Sequence, residues 1–218
     1  LELHHELSGL TKFFYNILKI TGFLKKLKYI LIHRNLVKTF NLLNQKNYIV
    51  LDDAVDIKDF KNKSSKKFRN TCVYVGSFHK GKGLELIIKL AEKLKKFNFH
   101  IYGDKNFLNF NNIPKNIKIF NYIKYKNIPI ILSKYHVVLM PYSDFVFGRL
   151  TNVNLVKSMS PLKMFDYLAS GNIILASRLK IYNHILKHKK NAILISNSNL
   201  NLWSKWIYTI FKRKNKFN

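Results

Sequence analysis

The residue types best suited to chemistry lie in one stretch, Ser158-Met159-Ser160-Pro161-Leu162-Lys163-Met164-Phe165-Asp166-Tyr167-Leu168-Ala169-Ser170-Gly171. Ser160 is a favoured N-cap, Pro161 fits the first helical position, and Gly171 can close the helix. The first amides of such a helix have no partner inside it. With the Lys163 ammonium beside them they make an anion site. Asp166, one turn further in, can point into the same crevice. A second chemical stretch is Gly76-Ser77-Phe78-His79-Lys80-Gly81-Lys82-Gly83. It lacks the G-x-G-x-x-G of a dinucleotide site and the Lys-Ser/Thr ending of a P-loop. Alone, it reads as a flexible glycine turn.

These stretches need elements to hold them, and the hydrophobic pattern supplies candidates. Cys72–Val75, Phe99–Tyr102, Ile117–Phe120, Val137–Pro141, Ile173–Ala176 and 192–195 are short apolar runs. Between them lie helical periods at Leu84–Lys96, Lys126–Ser133, 161–169 and near 181–187. Strands alternating with helices predict an α/β fold: a Rossmann-like parallel sheet with helices on both faces and right-handed crossovers. Ligands of such sheets bind beyond the carboxyl ends of the strands. Gly76–Gly83, Gly103-Asp104, Tyr122-Ile123 and the loop into Ser160-Pro161 all fall at those ends. Leu200 to Lys214, with Trp203, Trp206, Ile207 and Phe211, reads as a closing amphipathic helix.

Upstream, Leu1-Glu2-Leu3-His4 resembles a strand end, and the chain reads as the later part of something longer. Further strands are expected at Tyr29–Ile32 and Tyr48–Leu51, around a helix near Leu36–Leu43. Residues 8–30 repeat apolar positions at helical spacing, with Lys12, Lys19, Lys25, Lys26 and Lys28 between them and a break near Gly22. Two readings fit: a helix packed on its own lobe, or a helix lying on an anionic membrane surface. The organisation expected is a remnant N-terminal domain and hinge over 1–60 and a basic linker over 61–70. A nucleotide-binding domain over 71–198 follows, and then a helix over 199–218 that crosses back to the first lobe.

Composition constrains the partners. The net charge is +28, but it comes from 34 Lys and only 5 Arg, alongside 25 Asn and 5 Ala. Lys, Asn and Ile have A/T-rich codons, so much of the charge follows base composition. Nucleic-acid readers favour Arg for bidentate contacts, and no RRM, KH or zinc signature is present. A basic nucleic-acid module is therefore disfavoured. Cys72 is the single cysteine, which excludes a disulfide framework and fits a cytosolic setting. No metal-ligand spacing occurs among the eight histidines. No apolar run reaches the length needed to span a bilayer.

Taken in order, YVGSFHKGKGLELIIKLAEKL, FHIYGD, IKIFNYI, IPIILSKYHVVLMPYS, SPLKMFDYLASGNIILAS and NAILI resemble the donor domain of a GT-B glycosyltransferase. The resemblance is to the group 1, or family 4, retaining enzymes, and it covers about 71–196. More weakly, Tyr48 to Phe60, with Asp53 and Val55-Asp56, resembles the family's hinge. The resemblance implies a sugar transferase using a UDP- or GDP-sugar as substrate, with no cofactor and no metal. It places Gly76 and Ser77 against the donor diphosphate and gives Lys82 the role of stabilising the leaving diphosphate. It sets Gly103, Tyr122 and Ile123 around the base, and Ser160, Leu162 and Lys163 on the phosphates. Asp166 falls on the second acid of the E-x7-E motif, which holds the ribose hydroxyls; Ser158 stands where the first acid is expected. His4 would face the donor sugar, with His5 as the alternative register. A glycan or lipid-linked cell-envelope acceptor, at the inner face of the plasma membrane, follows from the same likeness. An inactive or accessory nucleotide-binding fragment is the alternative.

Overall fold

The computed structural model describes residues 1–4, 7, 9–44, 46–61, 66–107, 112–147 and 154–214. His5, Ser8, residues 62–65 of the expected linker, 148–153 of the loop before Ser160 and the final 215–218 lie outside the described residues. The chain forms two units, Leu1–Ala54 with Phe147–Pro161, and Val55–Val146 with Leu162–Asn218.

In the first unit, β1 (Glu2–Leu3), β2 (Tyr29–Leu31) and β3 (Tyr48–Val50) form a parallel sheet in that order. Leu3 and Leu31 point to the same face, where α2 (Asn35–Thr39) adds Leu36 and Val37 to a small apolar core. The amphipathic stretch becomes α1 (Gly9–Ile20), and Gly22, at φ +72°, turns it into a 3-10 turn over Phe23–Lys26. A left-handed residue ends a helix cheaply only as glycine. None of the residues of α1 is buried. Tyr15 turns inward, its ring edge on Phe40 at 5.4 Å, and Lys12, Asn16 and Lys19 line a cleft of about 210 Å³ on that side. The apolar stripe of Leu10, Phe13, Phe14, Ile17, Leu18 and Ile20 faces out, with Leu10 75% and Ile20 86% exposed.

The second unit is a six-stranded parallel sheet. Its strands are β4 (Thr71–Val75), β5 (Asn98–Tyr102), β6 (Ile117–Phe120), β7 (Val137–Met140), β8 (Ile173–Ser177) and β9 (Ile193–Ile195). Its helices are α3 (Leu84–Lys93), α4 (Ile128–Leu132), α5 (Leu162–Ser170) and α6 (Leu200–Lys214). Strand order is β6-β5-β4-β7-β8-β9, so the chain winds one way from β4 and the other way from β7. Both strands at this switch are buried along their length, the near-continuous apolar pattern of a sheet covered on both faces.

Within the second unit, which begins at Val55, α6 lies on α3. Trp203, Ile207, Ile210 and Phe211 form one stripe that joins Ile87, Leu90, Phe97 and Phe99 in a single core. Nearby apolar area decides the packing of such a helix. Phe60 is buried, and its 3-10 turn, Ile57–Phe60, packs on α4 and α5. The described end of the basic linker is likewise docked: the Phe68 amide donates to the Lys134 carbonyl, and the Lys67 ammonium to that of Tyr135. Beneath it, the Tyr135 hydroxyl meets His100 Nδ1 at 2.8 Å and the Tyr102 hydroxyl at 2.9 Å. These buried polar groups satisfy one another, and burial holds the His100 imidazole down at about 4, so it stays neutral at pH 7.

Candidate functional site

The site is built where the chain changes direction, at the carboxyl ends of β4 and β7. After β4, the Gly76 amide donates to the Tyr102 carbonyl at 3.0 Å, and the Tyr74 hydroxyl to the Ser77 carbonyl at 2.7 Å. The following turn is pressed against the segment after β7. Gly81 and Gly83 both hold φ +85°, and a Cβ on either would lie within 2 Å of a backbone oxygen, that of Phe145 (1.7 Å) or Pro141 (1.9 Å). The Ser143 amide donates to the Gly81 carbonyl at 2.9 Å. These glycines are thus not merely flexible. They let two loops meet with Lys82 held between them.

From the other side comes α5. Its Tyr167 hydroxyl accepts the Val75 amide at 3.0 Å and donates to the Leu139 carbonyl at 3.3 Å, tying the helix to the ends of both switch strands. This tie carries Lys163 and Asp166 into the crevice. Lys163 Nζ is buried without a hydrogen-bond partner, 3.5 Å from the centre of the Tyr74 ring and 5.2 Å from that of Tyr142. Lys82 Nζ lies over the same Tyr142 ring at 4.6 Å. Gly76 has no side chain because Lys163 occupies the space: a Cβ there would sit 2.5 Å from Nζ.

Burial drives the Lys163 amine well below the ordinary lysine range. The Lys82 charge adds to this, and Asp166 opposes it. A desolvated cation–π contact returns about 2 kcal/mol or more, and removing an ion from water costs several; the net direction for Lys163 is down. Asp166 is 5% exposed, and burial pushes its carboxyl up to about 6, against the lowering effect of the Tyr125 hydroxyl and Lys163. The Tyr125 hydroxyl donates to Asp166 Oδ1 at 3.3 Å. Near neutral pH the pocket holds the Asp166 carboxylate beside two lysine side chains, and Lys163 Nζ has no hydrogen-bond partner among the described residues.

The expected site residues divide accordingly. Gly76, Lys82, Lys163 and Asp166 come together, and Ser77 is held beside Tyr74. Gly103 adjoins Gly76, but its amide donates to the Phe120 carbonyl, and the Phe78 ring fills the space a Cβ would need. Tyr122 is 71% exposed; Tyr125, three residues past it, is what reaches Asp166. Leu162 is exposed at the start of α5. Ser160 and His4 belong to the first unit. The Ser160 hydroxyl accepts the Asp53 amide at 2.9 Å. His4 Nε2 lies 3.0 Å from Glu2 Oε1 at an exposed strand end, and His4 also lowers the otherwise raised carboxyl of Asp53. Ser158 is buried. The sequence reading missed Tyr74, Tyr142 and Tyr125, whose signal is an aromatic with a polar tip at or just beyond a strand end.

The pattern of the family described as "Glycosyl transferases group 1" matches residues 55–216. A search of the curated proteins returns no match. Among solved structures, Anabaena HepE in complex with UDP-glucose is similar over 99% of this chain and 63% of its own, with TM-score 0.66 and 14% identity. A glycosyltransferase from Rickettsia africae ESF-5 is similar over 97% and 59%, with TM-score 0.66 and 14% identity. A TarM mutant from S. aureus, in complex with fondaparinux, alpha-GlcNAc-glycerol and UDP, is similar over 85% and 37%, with TM-score 0.62 and 18% identity. The chain spans between 37% and 63% of the length of these proteins, and at such identities the likeness is one of fold.

Proposed function

The chain belongs to the group 1 glycosyl transferase family, and from that premise we propose that its second unit binds the nucleotide-sugar donor of a sugar transferase. The observation that carries this is the convergence of Lys82 and Lys163 beside buried Asp166 at the switch of a parallel sheet. Two neighbouring lysine side chains, one of them without a hydrogen-bond partner among the described residues, suit a diphosphate. A carboxylate one helical turn away suits a ribose diol, because an ionised carboxyl only accepts hydrogen bonds. The first unit then belongs to the acceptor side, and a lipid-linked or cell-envelope glycan is the acceptor we assign.

Two of the similar structures hold UDP or UDP-glucose, so uridine nucleotides are the first probes. UDP and UDP-glucose are expected to raise the melting temperature by mass action, while glucose alone does not. No shift with any nucleoside diphosphate would overturn the reading. Asp166→Asn should keep the fold and weaken UDP-glucose binding about tenfold or more, as hydrogen bonds to charged groups contribute about 1.5–3 kcal/mol. In the parent chain, affinity should also decline as pH drops through about 6, where Asp166 takes a proton; the variant should lack that step.

We assign the outward stripe of α1 to an anionic membrane surface. Six large apolar side chains face out there, and Lys25, Lys26 and Lys28 follow at once, the combination that draws interfacial helices to acidic lipid. Among the described residues no helix is long and apolar enough to cross a membrane. Vesicles containing phosphatidylglycerol should sediment the chain and neutral vesicles should not. Phe13→Ser with Phe14→Ser should abolish binding, and Lys25→Gln with Lys26→Gln should weaken it. No binding by the parent, or undiminished binding by the Phe variant, would overturn the assignment.

A further inference from the structure

We propose that the donor's diphosphate enters this site together with a proton, which the Lys163 amine takes from solvent. The proposal rests on the donor-site reading above and adds how the site is charged. In the free site Lys163 Nζ has no hydrogen-bond partner and is closed off from water. Its neighbours are aromatic faces, Tyr74 from β4 at 3.5 Å and Tyr142 beyond β7 at 5.2 Å. Lys82, from the turn before α3, lies over that same Tyr142 ring at 4.6 Å. Both amines thus lie near one ring.

The charged and titratable groups around Lys163 bear on its charge, and burial disfavours the ammonium form. Lys82 opposes its charge, and Asp166, on its own helix, is the one carboxylate in favour. That carboxylate already accepts a hydrogen bond from Tyr125. Tyr74 and Tyr167 are held protonated by burial, so they supply no counter-charge, and Glu85 acts on Tyr74 from α3. Burial and Lys82 together drive the Lys163 amine down, in the direction the geometry requires. A diphosphate bound between the two amines reverses the balance. It brings negative charge next to both and gives Nζ its missing acceptors, so the protonated form becomes the stable one. By linkage, a group that gains a proton on binding makes affinity fall as pH rises through the window between its free and bound values. The net reaction is neutral amine plus proton plus donor giving an ammonium–diphosphate pair, with no other bond changed.

UDP-glucose is the suitable probe, because its diphosphate is a diester and does not titrate near neutrality. Calorimetric titration of the 218-residue chain at about pH 8, in buffers of different ionisation enthalpy, reads the proton count directly. About one proton taken up per UDP-glucose is expected, with affinity falling toward tenfold per pH unit. Asp166 is ionised in both states at that pH and contributes nothing. His79 lies in the same turn, so His79→Gln is the control and should keep the uptake. Lys163→Met should bind more weakly with no uptake. Lys82→Gln should show reduced uptake, because removal of the like charge lets Lys163 hold its proton before the donor arrives. Binding without uptake in the parent chain, or uptake retained in Lys163→Met, would overturn the proposal and leave the donor site standing. Absence of nucleotide binding at any pH would remove the donor site and the coupling with it.

Discussion

Gly83→Ala is expected to lower the melting temperature of the second unit by about 6–12 °C, one of the larger effects available to a single methyl group here. Two costs add. Gly83 holds φ +85°, where an L side chain costs roughly 1–2 kcal/mol. The new Cβ would also fall 1.9 Å from the Pro141 carbonyl oxygen and 2.6 Å from its carbon. Both are backbone atoms and cannot rotate away, so one loop must shift, at roughly 1–3 kcal/mol for overpacking. Gly171→Ala is the control. Its φ is +67°, but a Cβ there meets nothing within 4 Å, so only the strain remains. Calorimetric or far-UV CD melts of the two variants should differ by about twofold in the loss. Equal losses would mean that the two loops are not held at the distance seen, and that the placement of Lys82 is softer than the glycine contacts indicate.

The parts of the fold that were legible from sequence are those decided by local periodicity. The run Leu84, Ile87, Leu90, Ala91 announces one buried face of α3, and Gly22 marks where the first helix must stop. Strand positions followed in the same way, because a parallel strand covered on both faces must be apolar at every position, as Val137–Met140 is. Long-range choices were not legible. Ser160 is of the right type to cap a helix, but capping preference says nothing of a competing amide such as that of Asp53, far away in the chain. The Trp203–Phe211 stripe shows that α6 must bury one side, not which surface receives it. α1 is the sharpest case. Its amphipathic period is plain, yet the apolar side faces out, while Tyr15 with its polar neighbours turns toward α2.

The candidate site divides along the same line. Lys163 and Asp166 were legible because a helix start and a one-turn spacing are local facts. The rings that hold Lys163 were not. Tyr74 is one more apolar residue in a buried strand until a lysine from α5 is laid on its face. Tyr125 is an ordinary loop tyrosine until Asp166 lies within reach of its hydroxyl. Such pairs belong to the sheet's crossover order, which brings β4, β7 and α5 together. In the site, burial and neighbouring charges act together on Lys163 and Asp166, and only the assembled structure shows their balance.

The largest functional loss is expected at Lys82. If the second unit stabilises a departing nucleoside diphosphate, Lys82→Ala should lower the rate of UDP release from a UDP-sugar by about 10²–10³-fold, the effect of removing one preorganised donor from developing negative charge. Donor affinity should fall less, about tenfold to a hundredfold, because the ground-state diphosphate carries less charge on the leaving oxygen. The rest position of Lys82 over Tyr142 supports this division. A cation held on an aromatic face gives up little when it swings to phosphate, so most of its binding energy is available where charge develops. Lys96→Ala is the comparison, since Lys96 is exposed beyond the end of α3. It removes the same formal charge from a chain at +28 and should leave both rate and affinity unchanged. Release of UDP can be followed with water as acceptor, so the measurement does not depend on knowing the glycan. Equal losses in the two variants would mean that the donor is drawn by net charge alone. An affinity loss in Lys82→Ala with an unchanged rate would confine that residue to holding the substrate.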